Sequence, residues 1–239
     1  MNVFIKTAKR FGWKKRKSIN YRGLTVPLGG DHIDRRIFDQ LTWSGYEVPE
    51  IDGLLGLVSP GDRILELGVG IGIVSSLAAK KFPDVTIRSY EANPALIDPI
   101  RDLHGRNGVT SIDLRNAVLV NGEVKDSHRD FFIHESFAAS SLVEPIGEVK
   151  SVVSVPTVSF QSVLSEFSPD VLVLDIEGGE EELLSNVDLK GIRVLVIELH
   201  PKVILRQGIK KIYDSCVAAN LYPRHDLSTG NVVSFEKVT

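Results

Sequence analysis

One stretch constrains this chain more than any other: Ile64-Leu65-Glu66-Leu67-Gly68-Val69-Gly70-Ile71-Gly72-Ile73-Val74. It reads as a buried strand, a glycine turn and the start of a helix. Three glycines alternate with apolar residues, so the backbone must turn sharply and let something press against it. In an α/β protein such a turn sits at the carboxyl end of a central parallel strand, where ligands bind.

Strand and helix patterns alternate after Gly72, with no internal repeat. Strands are expected near residues 84–90, 112–119, 171–175 and 194–198, and residues 232–236 alternate like an edge strand. Residues 121–160 depart from the alternation. They are polar, Ser-rich and carry short β-like pieces such as Phe131-Phe132-Ile133 and Val152-Val153-Ser154-Val155. We read them as an insertion, a hairpin covering the ligand site. Ahead of the turn, a helix opening near Asp31 carries Ile33, Ile37 and Leu41 inward, and residues 49–58 form a second. Toward the carboxyl end, Leu205, Ile209, Ile212, Cys216 and Ala219 share a helical face.

At 239 residues, 43% of them hydrophobic, the chain can bury a sizeable core. Cys216 is the only cysteine, which excludes an internal disulfide and any multi-cysteine metal centre. It favours a reducing compartment, most simply the cytoplasm. No apolar run approaches the roughly 20 residues of a membrane-spanning helix, and no signal-peptide pattern opens the chain. Charge is lopsided: residues 1–30 hold eight Lys or Arg and no acid, leaving 20 basic against 31 acidic residues in the remainder. A basic helix over residues 2–17 is either a solvated end or a peripheral contact with an anionic membrane surface. Nucleic acid is disfavoured, because no aromatic platform or base-reading motif accompanies the charge. Nothing in the sequence reports on oligomeric state.

The glycine spacing narrows the ligand. Gly68-x-Gly70-x-Gly72 is not the Gly-x-Gly-x-x-Gly of a dinucleotide site, and it lacks the Lys-Ser/Thr end of a phosphate loop. Glu66, two places before the first glycine, is placed to meet the ammonium of an amino-acid ligand, directly or through water. That suits S-adenosylmethionine, whose amino-acid end is charged and whose link to ribose has no phosphate. Glu91, 19 residues after Gly72, is placed to accept both hydroxyls of a ribose. Asn93 joins the cofactor set and is also placed to cap the next helix. Asn116, after the third strand, is expected near the adenine. Asp175-Ile176-Glu177-Gly178-Gly179-Glu180 and Glu198-Leu199-His200 put carboxylates and a histidine at strand ends on the same edge. Glu180, Glu181 and Glu182 have a simpler reading as acids favouring a helix start.

These blocks resemble the FkbM-type S-adenosylmethionine-dependent methyltransferases. The resemblance rests on Gly45-Tyr46-Glu47, Leu65 to Gly72, Tyr90-Glu91-Ala92-Asn93-Pro94, Val155-Pro156-Thr157-Val158-Ser159-Phe160, Val173 to Glu180, and Ile197-Glu198-Leu199-His200, in the family's order. The family often has Asp and Ala-Asn where this chain has Glu66 and Val69-Gly70. The resemblance implies a Rossmann-like class I methyltransferase fold, with a mostly parallel seven-strand sheet and an antiparallel carboxyl-terminal strand. It implies a methyltransferase domain over residues 45–239, with residues 1–44 as a basic extension and helical lead-in. It adds Glu47 to the cofactor set of Glu66, Gly68, Gly70, Gly72, Glu91, Asn93, Asn116 and Asp175. The implied reaction moves a methyl group to a hydroxyl of a sugar, glycolipid or other small natural product. Asp175, Glu177 or His200 would serve as base, or Asp175 and Glu177 would hold Mg²⁺. Two alternatives stay open at this point: an NAD(P)-dependent oxidoreductase, and a cofactor-binding partner protein without activity.

Overall fold

The computed structural model describes residues 16–30, 32–133 and 151–238. Most of the basic segment over residues 2–17, Asp31 and the middle of the insertion lie outside the described residues. The chain opens with a hairpin, β1 (Ser18–Tyr21) and β2 (Leu24–Pro27). Helix α1 (Arg35–Asp39) and a π-helical turn over Gln40–Ser44 lead to α2 (Val48–Leu57). Then β3 (Arg63–Leu67), α3 (Ile73–Lys81), β4 (Thr86–Glu91), α4 (Pro94–Asn107) and β5 (Ile112–Asn116) alternate. A side branch follows: β6 (Val118–Val120), β7 (His128–Ile133) and β8 (Ser151–Ser159). The chain continues through α5 (Phe160–Phe167), β9 (Val171–Leu174), α6 (Glu180–Leu184), β10 (Val194–Glu198), α7 (Pro201–Ala218), β11 (Leu221–Pro223) and β12 (Val232–Lys237).

Seven strands form one sheet in the order β11-β12-β10-β9-β3-β4-β5. Strand β12 runs antiparallel to both its neighbours, and the pairs from β10 to β5 are parallel. This is the arrangement the resemblance implied. Residues 232–236 are not the edge, however, because β11 pairs outside them.

Strand pleating explains why the central strands are apolar throughout. Ile64, Val171, Val173, Val194 and Val196 pack into one core, whereas Leu65, Leu67, Leu172, Leu174, Leu195 and Ile197 pack into the other. Alternate side chains thus bury on opposite faces, and both faces are covered. The amino-terminal hairpin contributes Tyr21, Leu24 and Val26 to the first core. Strand order reverses at β3: the chain proceeds to β4 and β5, then returns to β9 on the other side. Such a switch point opens a crevice at the carboxyl ends of the strands.

Three local expectations are revised. The Asp34 side chain accepts from Ile37 N at 2.8 Å and starts α1 at Arg35, four residues after the expected opening at Asp31. The predicted strand over residues 112–119 is two strands. Ile112–Asn116 pairs with β4, while Val118–Val120 leaves the sheet to run parallel to β8. Leu205 does not share the buried face of α7; its φ of 54° breaks the helical path and its side chain is exposed. The insertion is a hairpin as expected, with Phe131 opposite Val153, and β6, β7 and β8 make a separate three-stranded sheet.

Candidate functional site

An open cleft of about 810 Å³ lies at the switch point. Its floor is the glycine turn. Gly68 has φ +82°, and a Cβ there would stand 1.7 Å from the carbonyl oxygen of Asp175. The two strands are drawn together by Asp175 N donating to Leu67 O at 3.0 Å, so only glycine fits. Gly68 and Gly70 line the cleft. Gly72 does not: a Cβ there would meet Ile100 and Leu103 of α4 at 3.0 and 3.2 Å. Its place in the motif reflects helix packing rather than cofactor contact, which corrects the sequence reading.

Two carboxylates hold the turn from within. Glu91 Oε2 accepts from Val69 N at 3.0 Å and Gly70 N at 3.2 Å, while Oε1 accepts from Asn93 N at 2.7 Å. Burial raises its pKa, and these N–H groups oppose the shift. Glu91 and Asn93 both line the cleft; Asn93 also caps α4 by accepting from Ala95 N at 3.0 Å. Glu66 is 1% exposed and lies behind the turn. Its Oε2 accepts from Ser89 Oγ at 2.6 Å and its Oε1 from Ser75 N at 3.2 Å. It is not among the residues that line the cleft, and in this structure its carboxylate supports the turn. Burial pushes the Glu66 carboxyl up to about 7, against the hydrogen bonds from Ser89 and Ser75.

Asn116 is likewise a support. Its Nδ2 donates to the carbonyls of Glu91 and Ala92 at 2.8 and 3.0 Å. It therefore secures the end of β4 instead of lining the expected adenine region, where Ala117, Val118, Leu119 and Phe131 stand. Ala117 was expected there beside Asn116; motif reading had no signal for Val118 and Leu119, and the hairpin prediction placed Phe131 near the site.

The opposite wall begins with Tyr46 and Glu47. Tyr21 Oη donates to Tyr46 O at 2.8 Å and accepts from Tyr46 N at 2.9 Å, clamping the turn that presents Glu47. Glu47 itself has φ +47°. Burial holds the Glu47 carboxyl well above the usual range, and Glu50, Glu66 and Glu198 add to the shift. Beside it are Asp175 and Glu177, also lining the cleft. Burial and then the charges of Glu198, Glu47 and Glu177 raise Asp175 well above its ordinary value. Glu177 sits at φ +52°, a conformation that costs a non-glycine residue about 1 kcal/mol or more and recurs at functional sites.

His200 stands behind these carboxylates rather than in the cleft lining. Its Nε2 lies 3.1 Å from Glu177 Oε2 and 3.9 Å from Asp175 Oδ1, and its Nδ1 lies 2.9 Å from Glu180 Oε1. Burial alone would depress its pKa, but the hydrogen bonds to Glu177 and Glu180 push it up to about 11. With both ring nitrogens engaged, His200 orients carboxylates rather than facing an acceptor as a base. The Asp175–Glu177 pairing expected for Mg²⁺ is also not what the fold assembles. Glu177 is turned to His200, and the donor atoms gathered within 4.8 Å of one another belong to Asp175, Glu198 and His200. Glu180 joins the cluster as a fully buried residue, which a helix-start role alone would not require; Glu181 and Glu182, for which that role suffices, are not in it.

The family model described as "Methyltransferase FkbM domain" matches residues 49–208. The chain belongs to the FkbM methyltransferase family. This FkbM domain is also 34% identical over 95 residues to a ribosomal protein L11 methyltransferase of Symbiobacterium thermophilum. That match covers 40% of this chain and 30% of the relative's length. Among solved structures it is similar to a precorrin-6y C5,15-methyltransferase of Geobacter metallireducens. The identity is 16%, coverage is 82% of this chain and 90% of that one, and the TM-score is 0.49. A TehB-like SAM-dependent methyltransferase of Corynebacterium glutamicum is 14% identical, with 85% and 95% coverage and a TM-score of 0.45. The FkbM chain carries a methyltransferase domain over residues 49–208, which includes the glycine turn and, of the acidic wall of the cleft, Asp175 and Glu177. Among the described residues no helix is long and apolar enough to cross a membrane.

Proposed function

We propose that the protein is an O-methyltransferase that moves the methyl group of S-adenosylmethionine to a hydroxyl of a small acceptor, such as a sugar or glycolipid. The observation that carries the cofactor reading is the position of Glu91. Its carboxylate already occupies the N–H groups of Val69 and Gly70, where a dinucleotide's pyrophosphate would have to sit. Glu66 likewise occupies Ser75 N near the start of α3. A phosphate brought to this turn would meet carboxylates, whereas a cofactor bearing a sulfonium and an ammonium would be welcomed by the acidic wall of Glu47 and Asp175. This favours S-adenosylmethionine over a nicotinamide dinucleotide.

In the transfer, the acceptor oxygen attacks the methyl carbon and the C–S bond breaks, its electron pair staying on sulfur. The hydroxyl proton must leave as the bond forms. Glu177 lines the cleft, is held at a strained φ and is oriented by His200; we assign it the proton. Asp175 stands beside it. Positioning supplies much of the remaining acceleration, since the sulfonium is already reactive.

Calorimetry with S-adenosylhomocysteine and with NADH tests the cofactor, and binding of NADH alone would overturn it. Incubation with methyl-labelled cofactor and a panel of glycosides and hydroxylated metabolites tests the acceptor. Products with labelled ether methyl groups are expected, and labelled amines alone would overturn the O-methyl reading. Glu177→Gln should lower turnover by about 10²-fold or more with unchanged affinity for S-adenosylhomocysteine.

A further inference from the structure

The ends of two adjacent parallel strands and the turn after them converge on one point. Asp175 follows β9, Glu198 closes β10, and His200 stands two residues on. These strands are hydrogen-bonded neighbours, with Ile197 paired to Leu174, so the two carboxylates come to the same level of the sheet. One donor atom from each of the three residues lies within 4.8 Å of the others. Ligand atoms about 2.0–2.2 Å from a shared metal lie about 3–4 Å apart, so small side-chain adjustments close the set.

Two further observations point to a bound cation. Asp175 Oδ1 is shielded from solvent yet accepts no hydrogen bond, and an unpaired buried carboxylate oxygen is costly. Glu180 is wholly buried, and its Oε1 takes His200 Nδ1 at 2.9 Å and Gly178 N at 3.0 Å. That bond leaves Nε2 facing the Glu177 and Asp175 carboxylates, at 3.1 and 3.9 Å. A carboxylate on the far nitrogen of an imidazole is the usual way a metal-binding histidine is oriented. The backbone supports the bond closely: Gly178 has φ +102°, and a Cβ there would meet Val203 at 2.5 Å.

We propose that Asp175, Glu198 and His200 Nε2 form a site for a divalent first-row transition metal ion, with Glu180 as the residue that orients His200. The mixed nitrogen and oxygen donors suit Mn²⁺ or Zn²⁺ better than Mg²⁺, which prefers oxygen ligands and retains water. The site adjoins the methyl-transfer cleft through Asp175, and its catalytic purpose rests on the function proposed above; its binding of metal does not.

The test uses full-length protein stripped with chelator and titrated with Mn²⁺ alone, followed by electron paramagnetic resonance. A single tight Mn²⁺ is expected per chain, with nitrogen modulation from one imidazole in the pulsed spectrum of the unmodified protein. Glu198→Gln and His200→Gln should weaken binding at least about tenfold, and Glu180→Gln by about 10–100-fold. Asp98→Asn, on an exposed helix surface, should leave it unchanged, and thermal melts check that each variant folds. Competition by Zn²⁺ tells which ion the site prefers. Equal Mn²⁺ and Zn²⁺ affinity in unmodified, Glu198→Gln and His200→Gln proteins overturns the proposal, as does a bound Mn²⁺ without nitrogen coupling. S-adenosylhomocysteine calorimetry on the same stripped samples separates the two readings. Cofactor binding without any metal site removes only this inference, and metal binding without cofactor affinity removes only the cofactor assignment.

Discussion

Single residues decide this site through what lies behind them. Glu66 holds its proton more tightly in the folded chain than in the unfolded one, since its pKa rises from 4.5 to about 7. Its contribution to stability is therefore complete below about pH 4.5 and lost as pH climbs through 7. Glu66→Gln removes that dependence. Between pH 5 and pH 8 the variant should gain up to about 3 kcal/mol relative to the unmodified protein, read from urea midpoints; a constant difference would show that Glu66 does not titrate in this window. The two outer glycines should also separate. Gly72→Ala pushes on flexible side chains of Ile100 and Leu103 and should cost about 1–3 kcal/mol. Gly68→Ala collides with the Asp175 backbone and should cost more, to the point of preventing folding. Equal losses in denaturant titrations would contradict the packing described. The motif reading placed the turn because glycine spacing is written in the chain. It could not show that Glu66 and Asn116 turn to partners within the turn and strand ends, because a spacing does not say which way a side chain points, nor that Gly72 makes room for Ile100 and Leu103. It also gave Glu180 too little weight, since three consecutive glutamates at a helix start have a simple local explanation that hides one with a distant partner.

Elements were legible where the pattern was strong. The apolar runs of β9 and β10 cannot be anything but strands buried on both faces, and the order of blocks implied the sheet. The split between β5 and β6 was invisible, since Ile112 to Val120 is continuous as a pattern and only the partner strand differs. The amino-terminal hairpin carries no motif, yet β1 supplies the Tyr21 hydroxyl that satisfies both backbone groups of Tyr46. Tyr21→Phe leaves that buried N–H and C=O without their partner and should destabilise the protein by about 1–3 kcal/mol. Because Glu47 follows directly, affinity for S-adenosylhomocysteine should fall as well. Reduced stability with unchanged affinity would separate the hairpin from the cleft wall.

At the scale of the whole molecule, the two cores meet at the sheet whose carboxyl edge forms the cleft, so ligand and fold stabilise each other. S-adenosylhomocysteine at about 100 times its Kd should add about 2.7 kcal/mol, raising Tm by roughly 5–10 °C for a domain of this size; NADH should not. The basic first 17 residues carry a separate expectation drawn from sequence alone: full-length protein should co-sediment with anionic vesicles at low salt more than a chain lacking them, and equal sedimentation would reject a membrane role.

The chain leaves the main sheet at Ala117 and rejoins the β–α alternation where β8 runs into α5 at Phe160. The described strands between these two joints build their own three-stranded sheet, joined to the main body through Leu119 in the second core and through Asn121, which donates to the carbonyls of Glu182 and Ser185. The protein is thus divided like a tool with a common handle and an exchangeable head. Residues 118–159 can diverge, or be grafted from a relative, without rewriting the main sheet, provided that Val118, Leu119 and Phe131 of the cleft wall are kept. Chimeras cut at those joints that keep Val118, Leu119 and Phe131 should retain S-adenosylhomocysteine binding while their choice of acceptor travels with the graft.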